Sequence, residues 1–266
     1  MEAPKSRNSE VSKEEQFDAP GKKIFLLYPH SVIRDEMLDV LIMAGFETYT
    51  IMDEEKARRL LAKFPGSIMF INIDEGLKEP EWEKYIRDIQ TNPRTKDSRL
   101  GIMSYNQDLQ LMKKYLMELT IPCGYVQLKL GLQESTKIIL GALEANEAKG
   151  RRKCIRAECE DDPYAMTNYK IDSNVFRGKI LDISSAGIAA KFEKPAVMPN
   201  NSVIHGVQLK LRGGIVMLDM VFLCPRPNNK FVQVLLFDPK TSTENRLIIH
   251  HYIKICLQKY IDGLKV

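Results

Sequence analysis

The apolar pattern of this chain changes period once, near Gly150, and that change constrains the fold more than any single motif does. From Lys22 to about Ala148, short apolar runs alternate with amphipathic segments. Ile24 to Leu27, Phe46 to Ile51, Ser67 to Ile73, Leu100 to Ser104 and Gly124 to Leu128 read as strands. Between them, Val32 to Ala44 repeats Ile33, Met37, Leu38, Leu41 and Ile42 at helical spacing and stops at Gly45. Asp53 caps the next helix, which carries Ala57, Leu60, Leu61 and Phe64 on one face. Trp82 to Ile89, Leu109 to Leu119 and Leu132 to Ala148 complete the set. Five β-α units in succession predict a parallel sheet with helices on both faces.

Beyond Gly150 helical periodicity is lost until the last segment. Tyr169 to Phe176, Gly178 to Ile183, Gly187 to Phe192, Val203 to Leu211, Ile215 to Cys224 and Lys230 to Phe237 read as short strands. Asp161-Asp162-Pro163, Pro199-Asn200-Asn201, Gly213-Gly214 and Pro227-Asn228-Asn229 supply turns, and Gly213-Gly214 is a two-residue hairpin signal. Closely spaced short strands predict an antiparallel barrel or sandwich. A helix from about Thr243 to Tyr260 closes the chain, and the boundary between the two textures falls at Lys149-Gly150.

Composition excludes some functions. The 266 residues carry a net charge of only +4, which argues against a broad nucleic-acid surface. The five cysteines are odd in number and scattered, as expected of reduced thiols rather than a zinc site. No apolar run approaches the roughly 18 residues of a membrane span. Residues 1–20 are polar and lack the apolar core of a secretory signal, so they read as a short disordered tail on a cytoplasmic protein.

Two short stretches carry chemistry. Gly150-Arg151-Arg152-Lys153-Cys154-Ile155-Arg156 places four basic residues within six positions after a helix. Alone it reads as a solvated basic linker. Asp182-Ile183-Ser184-Ser185-Ala186-Gly187 lies between two strand-like runs and alone reads as a polar connection. Together, Arg152-x-x-x-Arg156 and Asp182-x-Ser184-x-x-Gly187 resemble the signature of the PilZ domain family, over about Arg151 to Ile261. The resemblance implies a six-stranded antiparallel β-barrel with a C-terminal helix, over 149–266. It also implies cyclic di-GMP as ligand, held by Arg152, Arg156, Asp182, Ser184 and Gly187, with Arg151 as a further contact. The residue chemistry agrees. Arg meets the adjacent O6 and N7 acceptors of guanine with two parallel bonds, stacks on bases and pairs with phosphate. An ionised Asp182 only accepts, so it can take guanine N–H donors. Ser184 can bond base or phosphate, and Gly187 allows close backbone approach or a positive φ.

The β-α units of 21–148 resemble the response-regulator receiver fold. Asp74, ending the third strand, sits where that family's phosphoacceptor would be, and Ser104 where its hydroxyl residue would be. Lys129 lies near the end of the fifth strand, without the usual following Pro. The acidic pair that would hold Mg²⁺ after the first strand is replaced by Leu27-Tyr28-Pro29-His30. Without the metal, charge on a transferred phosphoryl lacks its main partner. Asp74 is therefore expected to act as a cap or loop carboxylate, and the unit as a pseudo-receiver. His30 reads as a capping or packing residue, and His250-His251 lacks a metal-ligand partner at i+4. No catalytic or metal-binding residue and no cofactor is assigned.

The expectation is a non-enzymatic cyclic di-GMP effector with an unidentified protein partner. Ligand binding would order the loop Gly150 to Cys159 and reorient the two units. The alternative is a response regulator that accepts phosphate at Asp74 and uses the barrel as its output. Nucleic-acid binding ranks lower, because no aromatic residues interleave the basic cluster.

Overall fold

A computed structural model describes residues 21–150, 152–212 and 214–266. The expected tail of residues 1–20 and the expected contact Arg151 lie outside the described residues.

Among the described residues, β1 (Ile24–Leu27), β2 (Thr48–Ile51), β3 (Ile68–Asn72), β4 (Arg99–Ser104) and β5 (Tyr125–Gln127) form one parallel sheet in the order β2-β1-β3-β4-β5. The connecting helices are α1 (Ser31–Met43), α2 (Glu54–Lys63), α3 (Glu79–Thr91), the short α4 (Leu109–Lys113) and α5 (Leu132–Ala145). Alternate residues of the central strands serve opposite faces. Ile24, Leu26, Ile68 and Phe70 cluster with Met37 and Leu41 of α1 and Ile139 and Leu143 of α5. Phe25, Leu27, Met69 and Ile71 cluster with Leu60 and Leu61 of α2 and Trp82 and Ile86 of α3. Two covered faces explain why β1 and β3 are apolar almost throughout. The predicted capping is present, since Asp53 accepts from Lys56 N–H at 2.7 Å and His30 Nδ1 from Val32 N–H at 3.3 Å.

The helix expected over Leu109 to Leu119 is not continuous. After α4 the chain widens into a π turn at Lys114–Glu118. There Tyr115 is fully buried, while Lys114 pairs with Glu79 at 2.8 Å and Glu83 at 2.6 Å on α3. The turn places a core tyrosine and a half-buried, paired lysine at adjacent positions.

The second sheet is antiparallel. β7 (Met166–Ile171), β8 (Asn174–Ser184), β9 (Gly187–Phe192), β10 (Ser202–Leu211), β11 (Gly214–Arg226) and β12 (Asn229–Phe237) close into a six-stranded barrel through the β8–β9 pairing. A further strand, β6 (Arg156–Glu158), pairs with the far half of β8 beyond β7. The periodicity reading of Tyr169 to Phe176 as one strand is corrected here. Asp172 takes φ 53°, and Ile171 pairs with Asn174, so the segment is the tip of the β7–β8 hairpin. Tyr169 and Phe176 stack across it at 5.2 Å, which is why both are apolar. The three-residue β6 was not foreseen.

Helix α6 (Thr243–Gly263) packs on β6, β8 and β11 and also reaches α1 and β2. Its Gln258 side chain accepts from Thr50 N–H at 3.0 Å and donates to Thr50 C=O at 2.9 Å. Thr50 belongs to β2, an edge strand, so a carboxamide stands where a neighbouring strand's peptide would. Asp39 of α1 meets His250 at 3.2 Å and Lys254 at 2.8 Å, and Lys56 of α2 meets Asp262 at 3.3 Å. No helix among the described residues is long and apolar enough to cross a membrane.

Candidate functional site

The site begins with a parity problem in β8. Ile180 and Ile183 are both fully buried, yet a regular strand puts residues three apart on opposite faces. Burying an isoleucine is worth about 1.5–3 kcal/mol, enough to decide the local backbone. A β-bulge resolves it. Ile180 pairs with Ala190 and Asp182 with Ala189, leaving Leu181 as the extra residue. Ile183 then returns to the core, and Asp182 and Ser184 take the outward parity. Leu181 C=O accepts from Cys159 N–H at 2.7 Å, which ties the chain after β6 to the bulge.

On β6, Ala157 is buried, so Arg156 and Glu158 face outward. Arg156 stands opposite Ser184, and Glu158 opposite Asp182. The register thus puts three of the predicted residues, Arg156, Asp182 and Ser184, on one side of β6 and β8, with Arg156 exposed, Asp182 half-buried and Ser184 buried. Arg152 and Arg156 are exposed and line a groove with Gly45, Glu47, Gly150 and Ile155. The segment leading to them is held on the parallel-sheet unit. Lys22 N–H donates to Ala148 C=O at 2.9 Å, and a Cβ on Gly21 would lie 2.8 Å from Gly150 N.

The turn after β8 is self-supporting. Ser184 Oγ donates to Gly187 C=O at 3.3 Å and accepts from Ala186 N–H at 3.2 Å. Of the two roles expected for Gly187, close approach is the one present, and the partner is the protein's own strand. Gly187 pairs with Leu236, and an added Cβ would lie 2.2 Å from Leu235 O. Gly187 therefore lets β9 close against β12 and is not among the residues with positive φ.

One partner of Asp182 was missed by sequence reasoning. Arg226, at the end of β11, reaches Asp182 with Nη2 2.5 Å from Oδ2. Nothing local in Cys224-Pro225-Arg226-Pro227 announces this. The contact spans four strands, so no short-range pattern encodes it.

The receiver-like end is arranged differently. Asp74 is exposed, and Oδ1 accepts from Ser104 Oγ at 2.6 Å while Oδ2 accepts from Tyr105 N–H at 2.6 Å. Asp74 and Ser104 are brought together; Lys129 is exposed in a turn after β5. Tyr28 occupies the position after β1 and donates its hydroxyl to Glu54. Burial, then the hydrogen bond to Glu54, push the Tyr28 phenol up to about 12. A neutral phenol is a poor Mg²⁺ ligand, and no cluster of three His, Cys, Asp or Glu that could hold a metal occurs among the described residues. The residues present do not fit the receiver metal site.

No family model matches the chain, and no curated protein does. Solved structures do. The chain is similar to the PilZ domain with c-di-GMP of YcgR from Escherichia coli, at 16% identity and a TM-score of 0.36, over 43% of this chain and 100% of that one. It is similar to the K. pneumonia MrkH–c-di-GMP complex, at 15% identity and a TM-score of 0.35, over 42% of this chain and 55% of that one. It is also similar to the signal receiver domain of an HD domain-containing protein from Pseudomonas fluorescens Pf-5, at 20% identity and a TM-score of 0.38, over 48% of this chain and 99% of that one. The chain spans about half the length of the MrkH structure it matches.

Proposed function

We propose that this chain is a non-catalytic effector that binds cyclic di-GMP on the outer face of its barrel and reports that binding to a protein partner. The observation that carries this reading is the register that puts Arg156, Asp182 and Ser184 side by side on β6 and β8, with Arg152 beside Arg156 in an adjoining groove. In this reading 149–266 acts as a PilZ-type unit and 21–148 as a receiver-like unit that does not transfer phosphate.

The roles follow from the donors and acceptors present. Arg152 and Arg156 offer planar forks to phosphate oxygens and to guanine O6 and N7. Asp182 takes the guanine N1–H and N2–H donors. Ser184 has its one proton directed at Gly187 C=O and one lone pair taken by Ala186 N–H. Its remaining lone pair accepts, so a guanine N–H suits it better than a phosphate oxygen. Gly187 acts indirectly, by closing the strand that supports the turn.

Transmission follows from connectivity. The loop Gly150 to Cys159 runs from a segment fixed on the first unit, through both arginines, into β6 and the β8 bulge. Because Arg156–Glu158 is already strand, gripping a doubly charged ligand would act on the stretch ahead of β6 and bias the angle between the units. Calorimetric titration of cyclic di-GMP into wild type and Arg152→Ala tests the site, with binding weakened about tenfold or more in the variant. Small-angle scattering with and without ligand tests the movement. An identical profile in both states would leave binding without this route of transmission.

A further inference from the structure

We infer that Arg226 is a third arginine of the ligand site and, paired with Asp182, sets its preference for guanine over adenine. The inference rests on the cyclic di-GMP reading and adds to it a residue outside both motifs.

Arg226 stands at the hairpin end of β11, on the side of Asp182 away from β6 and Arg156. Between them runs a registered row, Asp182–Ala189–Val234–Cys224, crossing β8, β9, β12 and β11, in which Ala189 is buried. Ala189 in that row is small, so a long side chain from beyond Cys224 can lie across it and reach Asp182. The contact is end-on, with Arg226 Nη2 on Asp182 Oδ2 at 2.5 Å. Among the described residues no hydrogen bond uses Asp182 Oδ1, or any Arg226 nitrogen other than Nη2. The Arg226 side chain is 40% exposed and that of Asp182 17%.

The pair therefore presents an acceptor oxygen beside a set of planar donors. Guanine carries the complementary edge, with N1–H and N2–H donors next to the O6 and N7 acceptors. Adenine carries an amino donor where guanine has O6, and would turn that donor toward the guanidinium. A site built to bond one edge rejects the other because its polar groups are left unpaired. Arg226 is the more exposed partner and is held through Nη2 alone, so its other nitrogens can meet a ligand while that bond stays. With Arg152 and Arg156 approaching over β6 and Arg226 over β11, the ligand would be held from both sides of Asp182.

The test is calorimetric titration of cyclic di-GMP and of cyclic di-AMP into wild type, Arg152→Ala, Arg226→Ala and Arg226→Lys, with thermal melting to check folding. Wild type is expected to favour the guanine ligand. Arg226→Ala is expected to lose about tenfold or more in cyclic di-GMP affinity, and its ratio between the two ligands to shrink. Arg226→Lys keeps a charge beside Asp182 without the planar fork, so its ratio should also shrink in a folded protein. Wild type that fails to bind cyclic di-GMP ends the parent reading and this one with it. Wild-type binding that depends on Arg152, with Arg226→Ala unchanged in affinity and ratio, overturns the Arg226 assignment alone. Tighter binding by Arg226→Ala overturns it too, by making Arg226 a counter-ion that the ligand must displace.

Discussion

Arg156 stands directly opposite Ser184 in the antiparallel ladder of β6 and β8. Facing residues in such a ladder hold their Cβ atoms about 4.5–5.5 Å apart. The end of the basic stretch and the middle of the acidic–serine stretch thus lie side by side, although the hairpin β7–β8 separates them in the chain.

Arg156→Ala should weaken cyclic di-GMP binding about tenfold or more, by removing a charge-assisted pair worth about 1.5–3 kcal/mol. The side chain is exposed, so stability should change by no more than about 0.5 kcal/mol. Titration calorimetry with a parallel thermal melt separates the two effects. A large loss of melting temperature would assign Arg156 to folding instead.

Gly187→Ala should destabilise the barrel. The new methyl would stand 2.2 Å from Leu235 O and 2.8 Å from Leu236 Cα, and backbone cannot yield as a side chain can. Forcing β9 away from β12 should cost about 1–3 kcal/mol or more. Ser184→Ala removes two weak turn bonds and should cost about 1 kcal/mol. Urea denaturation of both variants ranks them, and equal midpoints would contradict the close-approach role of Gly187.

Acid should weaken the contact between the barrel and α6 through Asp162. This buried carboxylate accepts from Tyr164 N–H at 3.1 Å and Tyr252 Oη at 3.0 Å, and meets Arg212 at 3.4 Å. Desolvation pushes its pKa up, but these bonds outweigh burial and the net shift is downward. A carboxylate with a lowered folded pKa stabilises fully above its unfolded pKa, about 3.9, and loses that contribution as pH falls through the folded value. Asp162→Asn should therefore be less stable than wild type at neutral pH, and the gap should narrow below about pH 4. Melting curves from neutral pH downward measure it, and a gap that stayed constant into strong acid would refute the assignment.

Incubation with a small phosphodonor and Mg²⁺ should leave the mass unchanged. Both oxygens of Asp74 already accept hydrogen bonds, from Ser104 and Tyr105, and Tyr28 stands where a metal-binding carboxylate would be needed. A gain of one phosphoryl group, absent in Asp74→Asn, would instead favour the response-regulator alternative.

The parallel unit was legible because its strands are buried on both faces and its helices repeat at their own period, signals that are local. Gly187–Phe192 matched its predicted strand for the same reason. What was hidden depends on register. Tyr169 to Phe176 reads as one apolar alternation until Asp172 adopts a left-handed turn. β6 has three residues and a single inward side chain, too few to show a period. The bulge at Leu181 is visible only once Ile180 and Ile183 are known to share a core. The motif spacing located the chemistry, whereas the reach of Arg226 across the sheet is a property of the closed barrel.

The hold of Gln258 on Thr50 bears on any attempt to study the two halves apart. Cutting the chain near residue 149 removes α6 from β2 and bares the outer rim of the parallel sheet. A naked rim recruits strands from other molecules. The isolated N-terminal half should therefore self-associate as an artefact of the cut, and a dimer seen in that fragment would say nothing about the intact protein.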